Sequence, residues 1–174
     1  ELTERDFIVQ PTPEKGAEMR VDVASGIETS WIRDHERKNE EGWTEDSLAK
    51  IYLRQWIKEC KEQDIEVLLV YLPHAATKEQ QLMSIGTKQL ADEMGVNYVN
   101  LLYADMVDYG IDFYDQDGHL NPSGAHKVTD YLGQYIKDNY DIPNRRRDEN
   151  YSKWWDDYQR YTEYKVDKLK SQKY

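Results

Sequence analysis

Apolar residues recur at helical spacing in three stretches of the chain and form two short, nearly continuous runs between them. The stretches Thr44 to Gln63, Thr77 to Met94 and Asn121 to Ile136 therefore predict amphipathic helices. The run from Val67 to Leu72 is typical of a strand buried on both faces in a parallel sheet, and Val96 to Leu101 predicts a second strand. This alternation predicts an α/β fold, a three-layer sandwich in which helices cover both faces of a mainly parallel sheet.

Particular residues predict the helix ends and the buried helix faces. Thr44 and Thr77 are good N-caps, and Gly95 predicts the end of the second helix because glycine readily adopts the left-handed conformation found there. In the first helix we expect one apolar stripe to face the core: Leu48, Ile51, Tyr52 and Trp56, widened by Leu53, Ile57 and Cys60. In the second helix we expect these inner residues: Leu82, Ile85, Leu90 and Met94.

Changes in pattern divide the chain into three parts. We predict an N-terminal arm and loop over residues 1–43, the α/β core over residues 44–142 and an aromatic-rich helical tail over residues 143–174. Pro143 marks the last boundary because it cannot continue the preceding helical pattern.

The tail combines a basic cluster with a row of aromatic residues. Arg145 to Arg147 is either a solvated turn or a docking point for a carboxylate or phosphate. The aromatic residues that follow lie along a predicted helix: Tyr151, Trp154, Trp155, Tyr158 and Tyr161. Two adjacent tryptophans cannot both face inward, so we expect one to cover the domain and the other to meet a partner or a glycan.

The stretch from Asp115 to Ala125 is the densest in candidate catalytic side chains. Asn121 is a good N-cap and Pro122 suits the first helical position, so His119 is expected on a loop just before a helix N-terminus. Asp117 could hold the imidazole of His119 in one tautomer, as the acid of a catalytic triad does. Alternatively, the aspartates cap backbone amides in a turn and His119 is a surface residue.

The sequence offers two further candidates for a functional site, a single histidine and a cluster of polar residues, and each has a simpler structural interpretation. His74 follows the first predicted strand, where ligands of open α/β sheets gather, although such a histidine is often only part of a polar loop. Asp115, Asp117, His119 and Asn121 could reach one metal ion, but this cluster is too local and lacks a second ligand group. We therefore predict no metal site and no cofactor.

The segment from Phe113 to Thr129 resembles the last sequence block of SGNH/GDSL-type hydrolases. It is most similar to their cell-surface branch, which is related to alginate acetylation proteins and to the D-alanyl transfer protein of teichoic acid synthesis. The likeness is specific in this block and extends loosely from Thr44 to Trp155. It implies an SGNH, flavodoxin-like sandwich, which would be incomplete at the N-terminus of this chain.

The resemblance also implies a Ser-His-Asp triad with His119 as its base. The family's usual spacing is Asp-x-x-His, but Gln116 occupies that position here. The alginate-type branch uses Asp-x-His, which Asp117 fits, so we predict Asp117 as the triad acid and keep Asp115 as the second choice.

The chain offers no recognisable nucleophile block. Ser25 stands beside Gly26, but the family's glycine-rich serine block is not matched and a plain turn is the better interpretation. Four further serines lack a matching context as well: Ser30, Ser47, Ser84 and Ser123. Either the serine lies upstream of Glu1, or this is a degenerate member that binds and does not react.

The amino-acid composition restricts the classes of partner that this chain can be expected to bind. A net charge of -11 over 174 residues argues against nucleic acid and against an anionic membrane surface. The 14 tyrosines and 5 tryptophans, against 2 phenylalanines, are amphipathic aromatics that suit sugar-binding surfaces as well as ordinary cores.

The single cysteine, Cys60, cannot form a disulfide or zinc site within the chain. No signal peptide or transmembrane run is present, and because the chain opens at Glu1 without methionine we expect it to be a piece of a longer protein.

These observations predict an SGNH-like esterase or O-acyltransferase that acts on acyl esters of a bacterial cell-surface polysaccharide. The alternative is a non-catalytic carbohydrate-binding or assembly module, and a third possibility is an acidic scaffold for a membrane-bound acyltransferase. The expected partners are an acylated glycan, the missing N-terminal part of the same protein and such an acyltransferase. The expected location is extracellular or at the cell surface, anchored to the membrane through a removed N-terminal segment.

Overall fold

The computed structural model describes residues 19–30, 32 and 47–171. The chain divides into two compact units, one formed by Val23–Val128 and the other containing the described residues 19–22 and 129–171. Most of the predicted N-terminal arm and loop lies outside the described residues. The three-part division at residues 43 and 142 stays a prediction.

Helices and strands alternate through the first unit, as the sequence pattern predicts. The elements are α1 (Leu48–Glu62), β1 (Leu68–Tyr71), α2 (Lys78–Met94), β2 (Asn97–Asn100) and α3 (Pro122–Asn139), followed by a 3-10 turn (Glu149–Tyr151) and α4 (Ser152–Ser171). Strands β1 and β2 pair in parallel, with Leu68 opposite Asn97 and Tyr71 opposite Asn100. The predicted α/β class is confirmed, whereas the described residues form a two-stranded sheet and not a full three-layer sandwich.

The caps explain where the helices begin and end. Thr77 and Gln80 form a reciprocal capping box at the start of α2, and Gly95 closes that helix in the left-handed conformation, with φ of 61°. Helix α1 begins after Ser47, whose hydroxyl accepts a hydrogen bond from the Lys50 amide at 3.2 Å. The predicted cap Thr44 lies outside the described residues.

The core of the first unit is built between α1, the sheet and α2. One cluster joins Ile57, Val67, Leu69 and Ala91. Within α1, Leu53 and Cys60 pack against this cluster, while Leu48 and Trp56 are 71% and 53% exposed. The predicted inward stripe of α1 is therefore wrong in part, since both sides of the helix are apolar and only the side around Ile57 meets the sheet.

Helix α2 turns a partly polar face inward. Gln81 and Ser84 are fully buried beside Leu90, while the predicted inner residue Ile85 is only half-buried. Both side chains are paired: the Ser84 hydroxyl donates to the Gln81 carbonyl at 2.8 Å, and the Gln81 side-chain amide donates to the Ala76 carbonyl at 3.3 Å. Burial is tolerated because hydrogen bonds satisfy these groups.

The second unit is largely helical and has a high proportion of exposed side chains. Its helix α4 contains no buried residue, and Trp154 and Trp155 are 70% and 55% exposed. Within the described part of the chain, no helix combines the length and apolar character needed to cross a membrane.

Candidate active site

His119 and Asp115 form a direct imidazole–carboxylate pair. The Nδ1 atom of His119 lies 2.7 Å from Oδ2 of Asp115. The other carboxylate oxygen, Oδ1, accepts hydrogen bonds from the backbone amides of Gly118 and His119, each at 3.0 Å. Both oxygens are thus held, so the carboxylate fixes which nitrogen of the ring faces it.

Electrostatics keep this carboxylate ionised. Burial disfavours the charged form of Asp115, but the hydrogen bonds from the His119 amide and ring and from the Gly118 amide outweigh it, so the pKa of Asp115 lies below its usual range. An ionised carboxylate can stabilise the imidazolium that forms when the ring accepts a proton.

The second ring nitrogen of His119 remains available. The side chain of His119 is 63% exposed. Within the described residues, no group bonds to Nε2. The ring stacks on Tyr114, with centroids 5.6 Å apart and an angle of 13° between planes. A histidine oriented through Nδ1 and open at Nε2 has the geometry that a general base requires.

The predicted triad acid Asp117 does not take part in this pair. Its side chain is exposed, and no described residue bonds to it. The carboxylate that contacts the ring is that of Asp115, because Gly118, with φ of +90°, folds the turn back so that residues 115 and 119 meet. Whether either carboxylate serves catalysis stays a prediction.

A buried polar anchor fastens the turn to helix α3. Asn121 caps the helix as predicted, since its Oδ1 accepts from the Ser123 and Gly124 amides at 2.9 and 3.3 Å, and its Nδ2 donates to the Ile111 carbonyl at 2.7 Å. The backbone amide of Asn121 also donates to the backbone carbonyl of Asp112 at 2.9 Å. His119 therefore lies two residues before Asn121, which is hydrogen-bonded to the first turn of α3 and to the segment at Ile111 and Asp112.

Asp112 and Lys127 form an ion pair beneath the turn, which the sequence analysis missed. Oδ2 of the fully buried Asp112 accepts from Lys127 Nζ at 2.5 Å and from the Asp108 amide at 2.7 Å. Burial raises the pKa of Asp112, but these donors outweigh it and the pKa is lowered overall. The one available signal was an aspartate enclosed between the apolar residues Ile111 and Phe113.

The loop that carries His74 packs against the same turn. A Cβ atom at Gly118 would lie 2.5 Å from the Ala75 amide nitrogen and 2.9 Å from His74 Cα, so only glycine fits there. The Tyr109 hydroxyl donates to the His74 carbonyl at 3.1 Å. The ring of His74 is itself engaged, since its Nδ1 lies 3.0 Å from the Leu72 carbonyl oxygen. The carboxyl end of β1 thus reaches the site through backbone packing.

The segment around Ser25 runs beside the turn as well. The Ala24 amide donates to the Phe113 carbonyl at 2.8 Å, and the Gln116 side-chain amide donates to the Ser25 carbonyl at 2.9 Å. Ser25 is exposed. Among the other described serines, Ser84 has a buried hydroxyl that donates to the Gln81 carbonyl at 2.8 Å. Ser123 lies in the first turn of α3, where its backbone amide bonds to Asn121 and its side chain bonds to Asp112. Ser25 differs from them in being an exposed serine outside the helices whose carbonyl bonds to the His119 turn.

The described residues hold no group of three histidine, cysteine, aspartate or glutamate side chains placed to bind one metal ion. Comparisons with protein-family models, curated proteins and solved structures give no match to this chain.

Proposed function

We propose that this chain carries the histidine and acid of an SGNH-like esterase or O-acyltransferase that acts on acyl esters of a bacterial cell-surface polysaccharide. The single observation that carries the proposal is the 2.7 Å pair between His119 and Asp115, with Nε2 of His119 open. The likeness of residues 113–129 to the last SGNH block supports it. In this proposal Asp115 replaces Asp117 as the acid, because Asp115 contacts the ring.

The reaction then follows from the available atoms. Nε2 of His119 takes the proton of a serine hydroxyl while the serine oxygen attacks the acyl carbonyl carbon. The resulting intermediate collapses, the bond to the sugar oxygen breaks, and His119 returns the proton to that oxygen. Water or another hydroxyl group next attacks the acyl-serine while His119 accepts its proton. The bond between the acyl carbon and the serine oxygen breaks, His119 returns the proton to that oxygen, and a free acid or a new ester leaves. Asp115 stabilises the protonated ring in both halves.

The serine and the rest of the sheet are proposed to come from residues upstream of Glu1. A parallel sheet is ordinarily covered on both faces, and the two strands that the described residues form would be a marginal sheet on their own. The exposed side of α1, with Leu48 71% and Trp56 53% exposed, supports a further layer. The same upstream part would hold the protein at the cell surface.

Labelling with a fluorophosphonate probe, read by intact mass, tests this function. The 174-residue chain should remain unlabelled, whereas a longer form with the upstream residues should gain one adduct. His119→Ala should abolish that adduct and ester turnover, and Asp117→Ala, which alters an exposed side chain of the same turn, should preserve both. Full turnover in His119→Ala would show that His119 is not the base.

The same experiment locates the nucleophile. An adduct on the 174-residue chain that disappears in Ser25→Ala would move the nucleophile to Ser25 and overturn the upstream serine while retaining His119. Ser47→Ala is the matched control, since the Ser47 hydroxyl caps α1 by accepting a hydrogen bond from the Lys50 amide.

A further inference from the structure

The second unit contains a cleft that the proposed reaction does not use. We call it the tail cleft; it has a volume of about 520 Å³. Its lining residues are Arg145–Glu149, Tyr151, Ser152 and Trp154–Asp156. This volume lies within the range of about 300–1,000 Å³ that is usual for small-molecule sites.

Aromatic rings form the wall of the tail cleft. Trp155 is 55% exposed and stacks on Tyr158, with ring centroids 5.6 Å apart and 17° between planes. Tyr151 is 42% exposed and lies under the guanidinium group of Arg145, whose Cζ is 5.5 Å from the ring centroid. These contacts hold the rings in defined orientations while leaving much of their surface open to a ligand.

Positively charged guanidinium groups and negatively charged carboxylates border these aromatic rings. Arg145 is engaged by Asp148, whose carboxylate lies 3.2 Å from Nη1. Within the described part of the chain, the guanidinium groups of Arg146 and Arg147 contact no carboxylate. The carboxylate of Asp156 likewise has no hydrogen-bond donor there. The tail cleft thus offers unpaired donors and an unpaired acceptor, and its three arginines are balanced by Asp148, Glu149 and Asp156.

We propose that the tail cleft binds a neutral saccharide of the hexose or hexosamine type. A pyranose ring has apolar C–H faces that stack on an indole, and hydroxyl groups that need donors and acceptors around its edge. The tail cleft supplies the indole of Trp155, donors from Arg146 and Arg147, and an acceptor from Asp156. Its balanced charge, in a chain with net charge -11, does not favour a polyanion or an anionic membrane.

This inference rests on residues separate from the His119 pair. Loss of ester turnover would leave it standing, and absence of saccharide binding would leave the proposed triad standing. The two proposals therefore fail in distinguishable ways.

Calorimetric titration of the whole chain with cellotetraose, mannotetraose and N-acetylchitotetraose tests the proposal, with tetragalacturonate as the acidic comparison. At least one neutral tetrasaccharide should bind with a Kd of about 1 mM or tighter. Trp155→Ala should weaken this binding about tenfold, the factor expected for losing one aromatic contact. Arg146→Gln combined with Arg147→Gln should weaken it as well, through loss of donors to the hydroxyl groups.

Trp56→Ala is the matched control, because Trp56 is 53% exposed on α1 and lies outside the tail cleft. It should change the affinity by less than about twofold. Circular dichroism should show that both tryptophan variants keep the helix content of the parent chain. The proposal is overturned if no neutral tetrasaccharide binds, if only tetragalacturonate binds, or if the two tryptophan variants bind equally well. Binding to phosphatidylglycerol vesicles in place of the sugars would also overturn it.

Discussion

The two compact units differ in how far their side chains are buried. Every fully buried apolar residue of the described chain, from Ile32 to Val128, belongs to the unit Val23–Val128. The described part of the other unit has no buried residue, and its largest side chains, Trp154 and Trp155, are 70% and 55% exposed. One unit thus fixes its polar groups by packing, and the other presents its aromatic groups to solvent.

This difference suits the two kinds of chemistry proposed for them. Proton transfer requires donor and acceptor atoms held to a few tenths of an ångström, which the His119 turn obtains from Asn121, Asp112 and the Gly118 contact. Stacking on a sugar ring tolerates small displacements because the attractive surface is broad and non-directional. Variants should therefore affect the first unit strongly and the second weakly.

The largest effect is expected at the imidazole–carboxylate pair. Asp115→Asn removes the charge that stabilises protonated His119 and offers an amide where Nδ1–H needs an acceptor. In an active longer form of the protein, kcat for ester turnover should fall by about 10³- to 10⁴-fold, the usual scale for loss of a triad acid. Measuring kcat and KM separately should place the loss in kcat.

Asp117→Asn is the matched control in the same turn. It removes an exposed carboxylate that bonds to no described residue, so kcat should stay within about twofold of the parent value. A larger loss with Asp117→Asn than with Asp115→Asn would restore the sequence-based choice and refute the geometric one.

These two aspartates also show how far sequence reasoning reached. The start of α3 and the position of His119 before it were predictable, because Asn121 and Pro122 are local signals. The partner of His119 was not, since it depends on the backbone path at Gly118, where φ is +90°. A spacing between two residues in the sequence does not specify that backbone conformation.

Features that depend on contacts between residues far apart in the sequence were harder to predict. Asp112 and Lys127 are 15 residues apart and meet only because the turn reverses the chain. The buried side of α1 was ambiguous because both Trp56 and Ile57 lie on apolar faces, and tertiary packing alone decides between them. The strand pair and the caps of α2 were predictable from apolar runs, Thr77 and Gly95.

The next largest effect, on the free energy of unfolding, is expected from alanine substitutions at two glycines of α3. Gly124 belongs to the first unit and Gly133 to the second, so the two substitutions compare the units within one helix. A Cβ atom at Gly124 would overlap the carbonyl oxygen of Asp112, whereas a Cβ at Gly133 would have no neighbour within 4 Å. Gly124→Ala should lower the free energy of unfolding by about 1–3 kcal/mol through overpacking. Gly133→Ala should raise it by about 0.5–1 kcal/mol, because alanine has the better helix propensity. Urea unfolding at neutral pH measures both changes.

Opposite signs for the two alanines would confirm that the first turn of α3 is closely packed and that its later part is open. Destabilisation by Gly133→Ala as well would mean that a neighbour covers that surface. Equal stabilisation by both would show that the turn can shift away from Asp112, and the anchor of His119 would then be looser than the contacts indicate.

The smallest effect concerns acid pH and the ion pair between Asp112 and Lys127. Because the folded protein lowers the pKa of Asp112, the unfolded chain binds its proton more readily. This contribution to stability is present above the ordinary carboxyl pKa of about 3.9 and is lost as pH falls through the lower folded value. Asp112→Asn should be less stable at pH 6 and should lose less further stability between pH 5 and pH 2, as urea unfolding at each pH would measure. Lys127→Met should also flatten this dependence in part, since the ammonium group is one of the donors that lower the pKa. An unchanged slope in both variants would mean that acid sensitivity arises elsewhere and not from the pair of Asp112 and Lys127.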